Sequence, residues 1–403
     1  MAVLSSHEVG CKRDSRGWLY SGMAMRLAFD LGLHVDMTPY VANGSLSQAE
    51  ADLRKDAFWG TYVVDHTWGF HLGRPFRINM EGATVSKPSA GAYAGKQWTP
   101  YTSPGSKNSH VVLPDHVKEL HRQRVTLAEI MAPVGYLLYG NLKMTIKTLQ
   151  EINADTVARL LQWKDNLPPD LRVDVDDIQT HHLPHILLLH MQYHQNIIHA
   201  HRPYMSRTYV QPFPPQGPGS DHARMMCMDS ALSIAKLIRL YERRYALRRI
   251  SVQAVGIVCS AALLLIFANI TRYYRDGATG QHLSACFRAL EEFGASWESA
   301  GRARDFLLLL QRQWELRGRS AARRPRAESS SGESALGKRR RTADLDGPEM
   351  EEQLRQMLAS DSRPVGTTHG VSGNPLDVEM GLGLDWFVAE LPFDMGQDSV
   401  DLI

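Results

Sequence analysis

Gly17 to Pro75 reads GWLYSGMAMRLAFDLGLHVDMTPYVANGSLSQAEADLRKDAFWGTYVVDHTWGFHLGRP, two helices joined by a turn rich in Pro, Gly and Asn. Trp18 to Leu31 is apolar on nearly every face, and its few polar residues include Arg26 and Asp30, which stand at i,i+4 where they can pair. That composition predicts a buried helix, closed by Gly32. In the second segment Leu53, Ala57, Gly60, Val64, Trp68 and Leu72 recur at helical spacing opposite Asp52, Lys55, Asp56 and Thr67, predicting one inward face. Ser47-Gln48-Ala49-Glu50 has the spacing of a capping box, and Gly73 followed by Pro75 is a stop signal. The stretch holds no nucleophile with a nearby base and no phosphate-cradling glycine run, so its message is architectural.

A chain of 403 residues ordinarily holds two or three domains, but one large all-helical domain with tails is equally compatible. A net charge of +2 supplies no global electrostatic argument for nucleic acid or membrane. Cys11, Cys227, Cys259 and Cys286 are scattered and form no C-x-x-C pair, a usage that predicts reduced thiols in an intracellular compartment. Met1 to Gly10 lacks the basic start and the apolar run of a signal peptide. Val252 to Ile270 nears the length of a membrane span, but Gln253, Ser260 and Asn269 interrupt it, and a buried core helix is expected instead.

Further along, Lys87 to His110 is rich in Pro, Ser, Gly and Thr and reads as a loop. Val117 to Thr148 returns to helix, with a charged face through Lys118, Glu119, Arg122 and Arg124, and Pro133 is expected to interrupt it. Ala154 to Leu167 is amphipathic and ends at Leu167-Pro168-Pro169. Next, His181, His182, His185, His190, His194, His199 and His201 crowd together. His190 and His194 stand one helical turn apart, a zinc-ligating spacing, and His185 could approach from the turn before. No glutamate accompanies them as in H-E-x-x-H, while Ile186, Leu187, Leu188, Leu189, Met191, Ile197 and Ile198 describe a core helix. Structural histidines are therefore expected, with a metal, ligand or pH-sensing role as alternatives. Gln211 to Ser220 reads as a surface connection. Ala231, Ile234, Ala235, Ile238, Tyr241 and Tyr245 form a helical stripe ending in Arg243, Arg244, Arg248 and Arg249, cations that favour a helix C-terminus rather than requiring nucleic acid. Leu283 to Trp297 and Arg304 to Trp314 complete the helices.

After Trp314 the composition changes. Arg323, Arg324 and Arg326 form one basic group and Lys338, Arg339, Arg340 and Arg341 a second, separated by a Ser/Gly/Glu spacer that will not pack. Such bipartite clusters on an exposed chain suit a nuclear-import receptor, against the simpler reading of a solvated linker. From Ala343 to Ile403 the sign inverts, with only Arg355 and Arg363 opposing the acids. Its last part, LGLDWFVAELPFDMGQDSVDLI, interleaves acids with Trp386, Phe387, Leu391 and Phe393, the composition of an acidic activation segment that folds on a coactivator groove. A disordered tail, or a strap packed on the core, is the alternative.

The order Gly17-Trp18-x-Tyr20-x-Gly22-Met23-Ala24-x-Arg26-x-Ala28-x-Asp30-Leu31-Gly32-Leu33-His34, then Phe58-Trp59-x-x-Tyr62-x-x-Asp65 and Gly73-Arg74-Pro75, resembles the middle homology region of fungal zinc-cluster transcription factors. His201-Arg202-Pro203 also looks like that family's pattern, and the resemblance covers roughly residues 10 to 310. It implies an all-α, multi-helical regulatory domain in a nuclear regulator of RNA polymerase II transcription, with no enzymatic activity. The expected organisation is a helical domain over 1–316, a basic disordered linker over 317–342 and an acidic, largely disordered tail over 343–403. Such proteins read DNA through an N-terminal cluster of two zinc ions held by six cysteines, which the four cysteines here cannot build. The expectation is no cofactor in this chain, zinc in a full-length protein that carries the cluster, and DNA reached through that missing domain or a partner. Coactivators and an import receptor are the other expected partners. A homodimer is allowed, although no coiled-coil heptads are visible to supply its interface. Trp18, Arg26, Asp30, Asp65, Gly73, Arg74 and Pro75 are the motif's structural residues, with Asp65 and Arg74 expected to pair. The position after Asp65, often basic in the family, is His66. Beside the activator reading stand a metabolite-sensing helical receptor and, through the histidines alone, an enzyme on a helical scaffold.

Overall fold

One helix apolar all round and several apolar on one face are buried together only by layered helix-on-helix packing. The computed structural model describes residues 1–75, 80, 82–88, 97–99, 112–139, 146–205, 219–271 and 278–322. There the chain is all-α: α1 Ala2–Gly10, α2 Asp14–Asp30, α3 Thr38–Ala42, α4 Gln48–Leu72, α5 Val117–Tyr139, α6 Ile146–Asp165, α7 Pro184–His201, α8 Ser220–Arg244, α9 Gln253–Thr271, α10 Thr279–Phe293 and α11 Glu298–Ala322. Two short strands, β1 Gln97–Trp98 and β2 Leu113–Pro114, pair antiparallel.

The main core forms around α9. Ala254, Ile257, Val258, Ala261, Ala262, Leu265 and Ile266 on it are all buried, and α7, α8, α10 and α11 pack against it. Among the described residues no helix is long and apolar enough to cross a membrane. A second cluster joins α5, α6 and α7 through Leu127, Met131, Leu160 and Leu189, with Trp163 stacked on Tyr193 at 5.5 Å between ring centroids. A third joins α2 to α4 and α5 through Met25, Phe58, Trp59, Tyr62 and Val125. Val9, Trp68, Leu72 and Val252 tie this N-terminal layer to the entry of α9. At that contact the end of α4 comes so close that a Cβ on Gly256 would stand 2.5 Å from the His71 ring.

The turn signals act as read. The Ser47 hydroxyl accepts from the Glu50 N–H at 3.2 Å, Gly73 closes α4 at φ 62°, and Gly32 closes α2 at φ 65°. Leu167-Pro168-Pro169 ends α6 in a short 3₁₀ turn, Pro169–Leu171.

Four expectations are corrected. First, α2 is only half-buried: Leu19 is 64% exposed and Leu31 60%, with Met23 and Leu27 exposed beside them. Its inward face is made of small residues, Gly17, Ser21, Ala24 and Ala28, with Met25. Counting apolar residues hid this, because the long side chains face out while the small ones let helices approach. A Cβ on Gly17 would lie 2.6 Å from Val9 of α1, and the Ser5 hydroxyl donates to the Gly17 carbonyl at 2.7 Å. Arg26 and Asp30 are both exposed on this helix and form no ion pair with each other.

Second, the inward face of α4 begins at Phe58 and continues through Trp59, Tyr62, Val63, Trp68 and Leu72, whereas Leu53 is 68% exposed and Ala57 is also exposed. The aromatics set the helix's rotation because they bury more apolar area than Leu53 and Ala57 could. Third, α5 runs on through Pro133. Fourth, Asp65 and Arg74 do not pair. Asp65 turns toward α2 and accepts from the Ser21 hydroxyl at 3.0 Å. The left-handed turn at Gly73 carries Arg74 instead to the first turns of α2, where it donates to the Ser15 hydroxyl at 3.2 Å and lies over the Trp18 ring, 5.9 Å from its centroid. Pro75 follows directly, half-buried.

The rotation of α4 has a measurable consequence. Phe58→Ala empties a fully buried site and is expected to cost about 3–5 kcal/mol in denaturant unfolding. Leu53→Ala is expected to stay within about 0.5 kcal/mol of the parent chain. Equal losses would contradict the rotation described.

Candidate functional site

The histidines follow from α7, whose apolar residues place it between the two larger cores. His190 donates through Nε2 to the Leu171 carbonyl at 2.8 Å, and His201 donates through Nδ1 to the Ile197 carbonyl at 2.8 Å. His194 lies 3.5 Å from the Ser230 hydroxyl, and the His199 ring packs on Phe70 with centroids 5.3 Å apart. His181 and His185 are exposed, and His182 is half-buried. Among the described residues no group of three His, Cys, Asp or Glu converges as metal ligands, so the zinc spacing of His190 and His194 does not become a site. Burial lowers His190 to about 4 and His194 and His199 to about 3, which keeps them neutral. The cysteines are unpaired, and burial pushes the Cys259 and Cys286 thiols up to about 12.

The chemistry gathers elsewhere. Where α4, α5 and α7 meet the start of α9 there is a cavity of about 420 Å³, within the size range of small-molecule sites. Leu120, Leu188 and Leu189 supply an apolar wall. On the α4 side Lys55 donates to Asp52 at 2.9 Å, a bond that lowers the Asp52 pKa, and His121 approaches Asp56 at 4.0 Å. Arg124 of α5 stands between these walls. It is reached by solvent, yet enough protein surrounds the guanidinium that desolvation lowers its pKa.

From Arg124 a ladder of amides enters the core. Arg124 Nη2 donates to Gln253 Oε1 at 3.0 Å, Gln253 donates to Gln192, and Gln192 donates to Asn196 at 3.0 Å. One turn further, Gln195 donates to the Ser260 hydroxyl at 3.4 Å, and that hydroxyl donates to the Gly256 carbonyl at 2.8 Å. Buried amides are retained only when paired, and here α7 and α9 satisfy each other's. The cavity floor is thereby linked to the central helix.

Sequence reasoning missed this constellation. Arg124 read as part of a charged face and Gln253 as an interruption in an apolar run. The available signal was Gln253 itself, since an amide opening a helix buried all round needs a partner from a neighbouring helix. Of the arginines at and after the end of α8, Arg248 donates to Glu292 at 2.8 Å and Arg244 to the Gln179 carbonyl at 3.4 Å. The basic groups Arg323 to Arg341 and the tail residues Trp386, Phe387, Leu391 and Phe393 lie outside the described residues.

Neutral buried histidines make stability depend on pH. His190, His194 and His199, with His66 lowered to about 4, have folded pKa values below their ordinary 6.5. Their contribution is complete above about pH 6.5 and is lost as the pH falls toward about 4 to 3. Asp65, raised to about 6 by burial, opposes this, because its contribution is lost as pH rises through that value. The four histidines are expected to prevail, so Tm falls between pH 7 and pH 5. His190→Gln, which keeps a donor for Leu171, is expected to flatten the fall, and Asp65→Asn to steepen it. A Tm independent of pH over that range would contradict the assignment.

Comparison with known proteins places these elements. Residues 2–243, from α1 nearly to the end of α8, match the family described as the fungal specific transcription factor domain. The nitrogen assimilation transcription factor nit-4 of Neurospora crassa is 31% identical over 329 residues, 78% of this chain and 28% of that protein. The nitrogen assimilation transcription factor nirA of Emericella nidulans is 31% identical over 330 residues, 78% of this chain and 34% of that protein. An uncharacterized transcriptional regulatory protein of Schizosaccharomyces pombe is 24% identical over 328 residues, 75% of this chain and 48% of that protein. The chain thus spans about a third of the length of the two nitrogen assimilation factors. No solved structure matches it. With the family's pattern covering more than half of its length, the chain belongs to the fungal specific transcription factor domain family.

Proposed function

We propose that this chain is the helical regulatory portion of a fungal RNA polymerase II transcription regulator that works in the nucleus and activates a pathway-specific gene set. The observation that carries this is the family match over residues 2–243, extended by similarity to two named transcription factors along 78% of the chain. Those relatives make nitrogen assimilation the first pathway to examine. DNA reading falls to a zinc cluster elsewhere in a longer protein, or to a partner. Zinc belongs to that cluster, since the four cysteines of these 403 residues cannot form it and three of them are buried in the core. No reaction is assigned to the chain.

In this proposal the helical domain is the folded regulatory body, the basic groups address an import receptor, and the acidic tail addresses coactivators. A second reading, a metabolite-sensing receptor, is favoured by one observation, the cavity of about 420 Å³ with polar and apolar walls. The two readings are compatible, because a ligand that binds one state of a regulatory domain better than another shifts its population.

Residues 343–403 fused to a heterologous DNA-binding domain are expected to activate a reporter, and the double change Trp386→Ala, Phe387→Ala to weaken it. An inert fusion removes the activation role. Replacing Lys338, Arg339, Arg340 and Arg341 by alanine is expected to shift a tagged protein out of the nucleus. Unchanged localisation removes the import role from that cluster.

A further inference from the structure

Two arginines of the helical body are held by acids. Arg122 grips Glu119 through Nε at 2.9 Å and Nη2 at 2.5 Å, and Arg302 of α11 pairs with Asp14 of α2. Arg124 does not follow that pattern. No described carboxylate lies within ion-pair distance of it, and its hydrogen bond to Gln253 leaves most of the five guanidinium N–H donors unassigned to a described side chain. Arg124 lines the cavity, and its bond to Gln253 holds one edge of the guanidinium while the other edge stays open to solvent and to an anion that enters the cavity.

The surroundings define that anion. Lys55 is engaged by Asp52, and Lys118 lies near the same carboxylate, whose pKa it helps to lower. His121 and His185 also line the cavity, and the surrounding protein, with Arg124, holds both below their ordinary pKa. Asp56 adds a negative charge beside His121. Lys55, Lys118 and Arg124 against Asp52 and Asp56 leave the lining with one net positive charge, which suits a monoanion better than a dianion. A planar guanidinium fork matches a carboxylate in two parallel hydrogen bonds. In the same lining, Leu120, one helical turn before Arg124 on α5, and Leu188 and Leu189 of α7 offer apolar surface that a bare inorganic ion would leave uncovered.

We propose that this cavity binds a small organic monocarboxylic acid, its carboxylate on Arg124 and its apolar body against Leu120, Leu188 and Leu189. The proposal rests on the receptor reading above and names its ligand class. Arg124 is bonded to Gln253, and Gln253 to Gln192, so a carboxylate seated there bears directly on the amide ladder between α9 and α7.

The test is calorimetric titration of the full chain with benzoate, phenylacetate and 4-phenylbutyrate, alongside their carboxamides and sulfate. At least one carboxylate is expected to bind saturably at millimolar concentration or below. Its carboxamide is expected to bind at least about tenfold more weakly, the loss of one charge-assisted contact. Arg124→Gln is expected to weaken the acid by a similar factor without changing the carboxamide, and Leu188→Trp, which fills the apolar wall, to abolish binding of both. Carboxamides that bind as well as the acids overturn the carboxylate assignment and leave the receptor reading standing. No binding by either series overturns both. Sulfate that competes as well as the acids overturns the apolar half of the proposal. Should Arg124→Gln fail to fold, the acid against carboxamide comparison on the unaltered chain decides.

Discussion

The constraint on which the rest depends is the burial of α9. A helix with aliphatic side chains on every face gains only when neighbours cover its whole circumference, at about 1.5–3 kcal/mol for each large aliphatic side chain removed from water. Four helices do this, α7, α8, α10 and α11. Their positions then fix what lies beyond: α7 presents its other side to α5 and α6, and the entry of α9 receives the end of α4 where Gly256 leaves room for His71. The N-terminal motif is thus attached to a core built mainly from residues far along the chain.

The few polar side chains on α9 decide where its polar contacts gather. Gln253 and Ser260 are buried on a helix that offers them little, so they draw amides from α7, and the paired amides run outward to Arg124 at the cavity. The histidines of α7 have a different part. Burial keeps His190, His194 and His199 neutral, against the opposing pull of the bond His190 donates to a backbone carbonyl, and their consequence is a pH-sensitive stability rather than a metal centre among the described residues.

Much of this was legible in the sequence because the signals were local. The all-apolar run of α9, the capping residues Ser47 and Gly73, and the stripe from Ala231 to Tyr241 each declare a helix and its ends without knowledge of partners. What was misread depended on partners. The inward face of α2 is its small residues, because α1 approaches closely at Gly17, and no count of apolar residues reveals that. Asp65 and Arg74 look complementary in sequence, yet one faces Ser21 and the other Ser15 and Trp18 on either side of a left-handed turn. Pro133 is a breaker by propensity, but packing of Met131 and Val134 in the core holds α5 together around it. The cavity was invisible for the same reason, since its lining comes from four separate helices.

The central claim, that one cooperative core organised on α9 carries the N-terminal motif and the cavity, is tested most directly by native-state hydrogen exchange. The account predicts that the amides of Val255 to Phe267 exchange most slowly, near the rate of global unfolding, with the buried stretch of α8 beside them and the outer face of α2 opening at lower free energy. Exchange in α9 as fast as in α2, with the slowest amides confined to α2 and α4, would place the stable core in the N-terminal layer and contradict it.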